Sequence, residues 1–257
     1  IAQINNRYAI IRTHTFLPTF IYLLLSASWL PAYGNYIALI AASFVLLAAY
    51  ITLGMYKEKG SVEQAFLVFF FLGLASLLIN EFVILVLVFW IGFILLNSFS
   101  TRVFFASILG FLVPWIFWFA IPYFFFDKIV FLYDYHWVDI DLSVFDYRNI
   151  PAFLYAGTML AILIIAFVQI STNYRQLSIE AGRILLFFRV LLISLLLFIL
   201  LHFIGLPSYM PLLAIFYALV TAYVFTLLKN TFNSVVFMTL CVLNLVSASY
   251  LLIIQSL

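Results

Sequence analysis

Along the chain, long apolar runs alternate with short polar punctuation. Such runs predict membrane-crossing helices, because about 20 apolar residues cover a hydrocarbon core of ~30 Å at 1.5 Å per residue. The pattern predicts helical spans at Thr15–Leu30, Tyr36–Met55, Val62–Ile79, Phe82–Phe99, Val103–Phe126, Pro151–Ile170, Ile184–Ile204, Tyr209–Leu228 and Phe232–Ile254. The stretch Ala65–Phe99 has to be divided, since as one helix it would be roughly 50 Å long. Asn80-Glu81 divides it into two spans, both slightly short. The turn between them then lies below the membrane surface, or the bilayer thins to meet it. Pro18 stands in the first turn of its span, where proline is tolerated. Pro114 and Pro122 remove backbone donors from inside span five, which predicts a kinked or broken helix. Tight turns are expected at Pro31–Asn35 and Gly205–Ser208.

Composition agrees with this reading. Hydrophobic residues make up 68% of the chain and charged residues 8%. A soluble domain is roughly half apolar and a quarter charged, so the lipid bilayer is the expected solvent. The fold class is therefore all-α, a polytopic transmembrane bundle in a single integral membrane domain. The net charge of +2 says nothing about nucleic acid, and with no basic run or basic–aromatic patch no nucleic-acid partner is expected. Cys241 is the one cysteine, so an internal disulfide is excluded. The chain begins on Ile1 rather than Met, so an N-terminal piece, with room for a further span, is expected to precede it. No loop is long enough for a nucleotide-hydrolysing domain. Energy coupling would need a partner or an ion gradient.

Charge orients the bundle. With the N-terminus inside, the inner segments hold Arg7, Arg12, Lys57, Lys59, Arg102, Arg175, Arg183, Arg189 and Lys229, and the outer segments hold Lys128 and Arg148. This excess is what the positive-inside rule requires, and it puts the C-terminus outside. The acids sort the other way. Glu81, Asp127, Asp134, Asp139, Asp141 and Asp146 fall outside, and Glu58, Glu63 and Glu180 inside.

The longest polar interval, Asp127–Ile150, carries five of the nine acids, threaded with aromatics. Val138–Val144 alternates apolar and polar, which suits a half-buried extended segment with Asp139 and Asp141 on one face. Alternatively, Phe131, Tyr135, Val138, Leu142 and Phe145 recur at helical spacing and would press an amphipathic helix onto the outer membrane face. In the first case Asp139 and Asp141 would ligate a cation or work as an acid–base pair; in the second the interval is an interfacial cover. Glu81 is the second candidate, because an acid between two short spans is by default a proton or ion site. The plain alternative is a hairpin turn at the water line. His136, Arg148 and His202 join the outer set as candidate phosphate or substrate contacts.

An integral-membrane iron oxygenase would need several imidazoles around one metal. His14 is predicted inside, and His136 and His202 outside, so no metal site is assigned. Arg189, about one turn inside span seven, would either snorkel to the inner interface or anchor an anionic headgroup. In span nine, Asn233, Asn244, Ser247 and Gln255 fall on one stripe, which should face other helices because amides in lipid need partners. No Walker loop, zincin motif, nucleophile elbow or dinucleotide fingerprint is present, and no cofactor is named by any pattern.

Arg7-Tyr8, the run Ile11-Arg-Thr-His-Thr-Phe-Leu-Pro18, the hairpin at Asn80-Glu81 and Gly110-Phe-Leu-Val-Pro114 together resemble a family of bacterial cell-envelope membrane proteins catalogued only as a domain of unknown function. The resemblance covers most of the chain and implies a multi-pass protein of the bacterial inner membrane, with no established activity. Names implying carotenoid cleavage are attached to such proteins, and the divided histidines argue against that chemistry. The layout is also distantly similar to integral-membrane glycosyltransferases that use lipid-linked sugars at the outer face. Those often place an acid in the first outer loop, and Pro31–Asn35 has none.

Three functions are compatible with these readings. The first is an outward-facing envelope enzyme acting on a lipid-linked or glycan substrate through Glu81, Asp139 and Asp141. The second is a transporter or flippase-like protein with Glu81 as coupling acid. The third is a non-enzymatic subunit that docks other envelope proteins on the 127–150 interval.

Overall fold

The computed structural model describes residues 15–28, 35–56, 61–126, 150–172, 179–201, 206–227 and 231–256. Among these residues the chain is helical almost throughout and contains no strand. The helices are α1 (Leu17–Ser28), α2 (Tyr36–Met55), α3 (Val62–Leu78), α4 (Leu85–Leu95), α5 (Thr101–Phe126), α6 (Ile150–Thr172), α7 (Ile179–Leu201), α8 (Leu206–Leu227) and α9 (Thr231–Ser256), with a 3-10 turn Asn80–Ile84 between α3 and α4. Each falls on one of the predicted spans. Six of them, α2 and α5 to α9, are long and apolar enough to cross a membrane. The other three are apolar but shorter, at 12 residues for α1, 17 for α3 and 11 for α4.

The local chemistry sets several helix ends. Ser61 caps α3, its hydroxyl accepting from the Gln64 N–H at 3.3 Å. Ile79 turns extended at φ −135°, ψ 102°, and ends α3. After α4, Asn97 takes up the left-handed conformation at φ 56°. Its N–H bonds Ile94 O at 3.1 Å and the Ser98 N–H bonds Phe93 O at 2.9 Å, the paired closure of a Schellman motif. Asparagine suits the site because it tolerates positive φ better than most residues with a Cβ. The Ser100 hydroxyl then accepts from Val103 N–H at 3.3 Å and opens α5.

The chain stays α-helical from Thr101 to Phe126, through Pro114 and Pro122, so of the kinked or broken helix expected in span five the break is absent. Pro114 is buried, and its ring lies 3.0 Å from where a Cβ on Gly73 would stand. The helix tolerates the missing donor there because the ring packs into the neighbouring helix.

The described residues divide into two compact units. The second unit holds α2 to α5 with Leu196–Leu212. In it α3 packs most extensively on α5 and next on α2. Two glycines set the α3–α5 approach. A Cβ on Gly110 would meet Phe66 O at 2.3 Å, and one on Gly73 would meet Phe111 O at 2.8 Å. On α2 the buried residues are Ala38, Ala41, Ala42, Val45, Ala48, Ala49 and Thr52, a stripe at helical spacing. Small side chains let backbones approach closely, which is how helices gain van der Waals contact when lipid supplies no hydrophobic drive. Indole N–H groups complete the unit: Trp115 Nε1 donates to Ser76 Oγ and Trp90 Nε1 to Ser107 Oγ, both at 2.9 Å.

The first unit holds α1, α6, most of α7 and α8, and α9. There α9 packs on α1 and α6, and Phe237 meets Phe225 with ring centroids 5.3 Å apart. Hydroxyls in both units turn back on their own helices, as Thr52 to Ala48 O at 2.8 Å and Thr221 to Tyr217 O at 2.8 Å. Such bonds satisfy a donor that lipid cannot.

Candidate functional site

Glu81 stands on the 3-10 turn between α3 and α4, half-buried. The turn exists because Ile79 leaves helical geometry and Phe82 N–H closes back on Ile79 O at 3.0 Å. Phe82 is buried, while Val83 and Ile84 are exposed. The phenyl ring anchors the turn. Its centroid is 6.1 Å from that of the fully buried Tyr209, whose ring stands edge-on to Phe198 at 5.0 Å. Phe198 lies near the end of α7 and Tyr209 near the start of α8, so two further helix ends meet the turn within the second unit.

The two arms of this hairpin are short. The 17 residues of α3 rise about 25 Å, and the 3-10 turn with the 11 residues of α4 gives a similar length. Asn80 lies beside Glu81, and its Oδ1 is buried without a hydrogen bond from any described residue. An unsatisfied buried acceptor costs about 1–3 kcal/mol, so its position calls for a role.

Among the other candidates, Asp139, Asp141, His136 and Arg148 lie outside the described residues, as does His202. His14 does as well. The helix ends on either side of the 202–205 connection are described, and they carry Phe198 and Tyr209, the latter packed on Phe82. Among the described residues no three His, Cys, Asp or Glu side chains gather into a metal-binding group.

A second polar group lies within the first unit. Asn244 Oδ1 accepts from Ser28 Oγ at 2.7 Å and from Tyr155 Oη at 2.7 Å, and the two hydroxyl oxygens are 3.0 Å apart. Asn244 Nδ2 donates to Leu240 O at 2.8 Å. Further along the same two helices, Gln169 Nε2 donates to Asn233 Oδ1 at 2.7 Å. The stripe predicted on span nine thus faces its neighbours at Asn233 and Asn244, both buried. Ser28 and Tyr155 were not picked out from sequence. A serine or tyrosine near a span end is common, and only the asparagine opposite gives these two a reason to be there.

Arg189 lies deeper in its helix than expected. It is ten positions from Ile179, about 15 Å, rather than one turn from the start. Helix α7 begins earlier than the predicted span because Ile179–Arg183, read as part of a polar interval, is helical.

Six helices able to cross a membrane, with their polar groups paired between helices, place the chain in the class of helical membrane proteins. No protein-family model, curated protein or solved structure matches the chain.

Proposed function

We propose that this is a multi-pass protein of a bacterial inner membrane that acts at the outer face as an enzyme on a lipid-linked or glycan substrate, with Glu81 as its acid. The observation that carries the reading is the hairpin geometry. A half-buried carboxylate sits on a turn whose arms, at about 25 Å, fall short of a ~30 Å core. Short arms of this kind support a position for Glu81 near the level where lipid headgroups meet acyl chains. Asn80 Oδ1 beside it, buried without a hydrogen bond from a described residue, would accept a hydrogen bond from a substrate hydroxyl or amine. A sugar on a lipid carrier offers hydroxyls at that depth. His202, between Phe198 and Tyr209 in the sequence, joins Glu81 as a candidate partner, and Asp139, Asp141, His136 and Arg148 complete the proposed outer set.

The polar pairs of the first unit weigh against the transporter reading. Ser28, Tyr155, Asn244, Gln169 and Asn233 are engaged with one another, an arrangement that supports fixed helices rather than a polar path.

The test compares lipid-linked intermediates, by mass spectrometry, in bacteria that carry the chain, lack it, or carry Glu81→Gln. The expected outcome is that loss of the chain and Glu81→Gln accumulate the same species. A Glu81→Gln strain whose profile matches the unaltered chain, while the deletion differs, would remove Glu81 from the chemistry.

A further inference from the structure

One end of the first unit collects polar groups from three helices. The last turns of α6 carry Gln169, Ser171 and Thr172, the first turn of α9 carries Asn233, and Arg189 reaches in from α7. Cα–Cβ bonds tilt toward a helix's N-terminus, so the Arg189 side chain runs back along α7 toward Ile179. Its Nη2 donates to the Phe167 carbonyl and to Ser171 Oγ, the latter at 2.6 Å. The guanidinium carbon lies 5.3 Å from the Phe167 ring centroid.

All of these partners are neutral. Nε is buried and makes no hydrogen bond to a described residue. Among the described residues no carboxylate pairs with this guanidinium. A guanidinium keeps its charge in proteins, and this one lies inside the apolar stretch Ala181–Leu200. Cations within spans pair with opposite charges or with backbone carbonyls; the Phe167 carbonyl takes one donor here and leaves the net charge uncompensated.

We propose that the phosphate of an anionic phospholipid is that partner. A guanidinium suits phosphate oxygens, and Nη1, which makes no hydrogen bond to a described residue and is not buried as Nε is, remains for them. The surroundings favour a lipid over a free anion. On α6, the exposed Ile164 and Val168 share the face of Ser171, and on α7 the exposed Ile193 shares that of Arg189. These apolar side chains suit the acyl chains of the lipid whose phosphate meets the guanidinium. The inference is independent of the activity proposed for Glu81.

The experiment uses the purified chain in nanodiscs of phosphatidylcholine, into which phosphatidylglycerol is titrated, with bound lipid read by native mass spectrometry. The chain is expected to retain phosphatidylglycerol over phosphatidylcholine by roughly fivefold, the scale of one basic residue near an anionic surface. Arg189→Gln is expected to lose the preference, and Ser171→Ala, which leaves the charge in place, to keep it. Equal retention of the two lipids, or a preference that survives Arg189→Gln, overturns the proposal. So does displacement of phosphatidylglycerol by millimolar inorganic phosphate, which would mark a free-anion site. A measurement that needs no variant uses phosphatidylglycerol with a photoreactive acyl chain. Cross-links at Ile164, Val168 or Ile193 support the proposal, and cross-links confined to other helices overturn it.

Discussion

At Gly110 the missing side chain decides how two helices meet. A Cβ there would stand 2.3 Å from Phe66 O and 3.0 Å from its carbonyl carbon, backbone atoms that cannot rotate away. Gly110→Ala is therefore expected to push α5 off α3 and cost about 1–3 kcal/mol, the usual range for overpacking. The thermal midpoint in detergent should fall by several degrees. Gly157 is the control, since a Cβ there meets nothing within 4 Å. Gly157→Ala should leave the midpoint unchanged or raise it, because alanine is the better helix former by about 1 kcal/mol. Equal midpoints for the two variants would contradict the close α3–α5 contact. Glu81 belongs to the same scale. Its polarity marked it in sequence, and what sequence could not supply is the 3-10 turn, which depends on Ile79 going extended and Phe82 packing on Tyr209.

Two polar rungs tie α6 to α9. Gln169 pairs with Asn233 and Tyr155 with Asn244, so the order along one helix reverses along the other and the two run antiparallel. The rungs are about 21 Å apart on α6 and about 16 Å on α9 at 1.5 Å per residue. Interhelical hydrogen bonds of this kind contribute about 0.6 kcal/mol on average and up to about 1.7. Tyr155→Phe and Asn244→Leu should each destabilise on that scale, and the double variant should lose less than the sum, because both singles remove the same bond. A strictly additive result in a denaturation series would mean that the two side chains do not meet. This rung was half legible in sequence. Asn244 stands out against apolar neighbours, so its inward stripe could be read. The Ala38–Thr52 stripe of α2 could not be read by hydropathy, because most of its inward and outward residues are apolar and differ in size instead. The proline positions were half informative for a related reason: sequence shows the donor that Pro114 lacks and hides the Gly73 groove that receives its ring.

Across the whole chain, the helical class and the places of the helices followed from run length alone, since lipid admits few other backbone arrangements. The site is less complete. Glu81, with Asn80 beside it, is the part of the proposed site that lies among the described residues, and the other candidates lie outside them. The proposed orientation unites these parts, with the Glu81 turn at the outer face and the Ser171–Arg183 connection inside. Membrane-impermeant maleimide labelling of intact bacterial cells tests it, using single-cysteine variants on a Cys241→Ala background. The account predicts that Glu81→Cys reacts from outside and that Ser178→Cys reacts only after the membrane is permeabilised. Labelling of Ser178→Cys from outside, with Glu81→Cys reactive only from the cytoplasmic side, would contradict it.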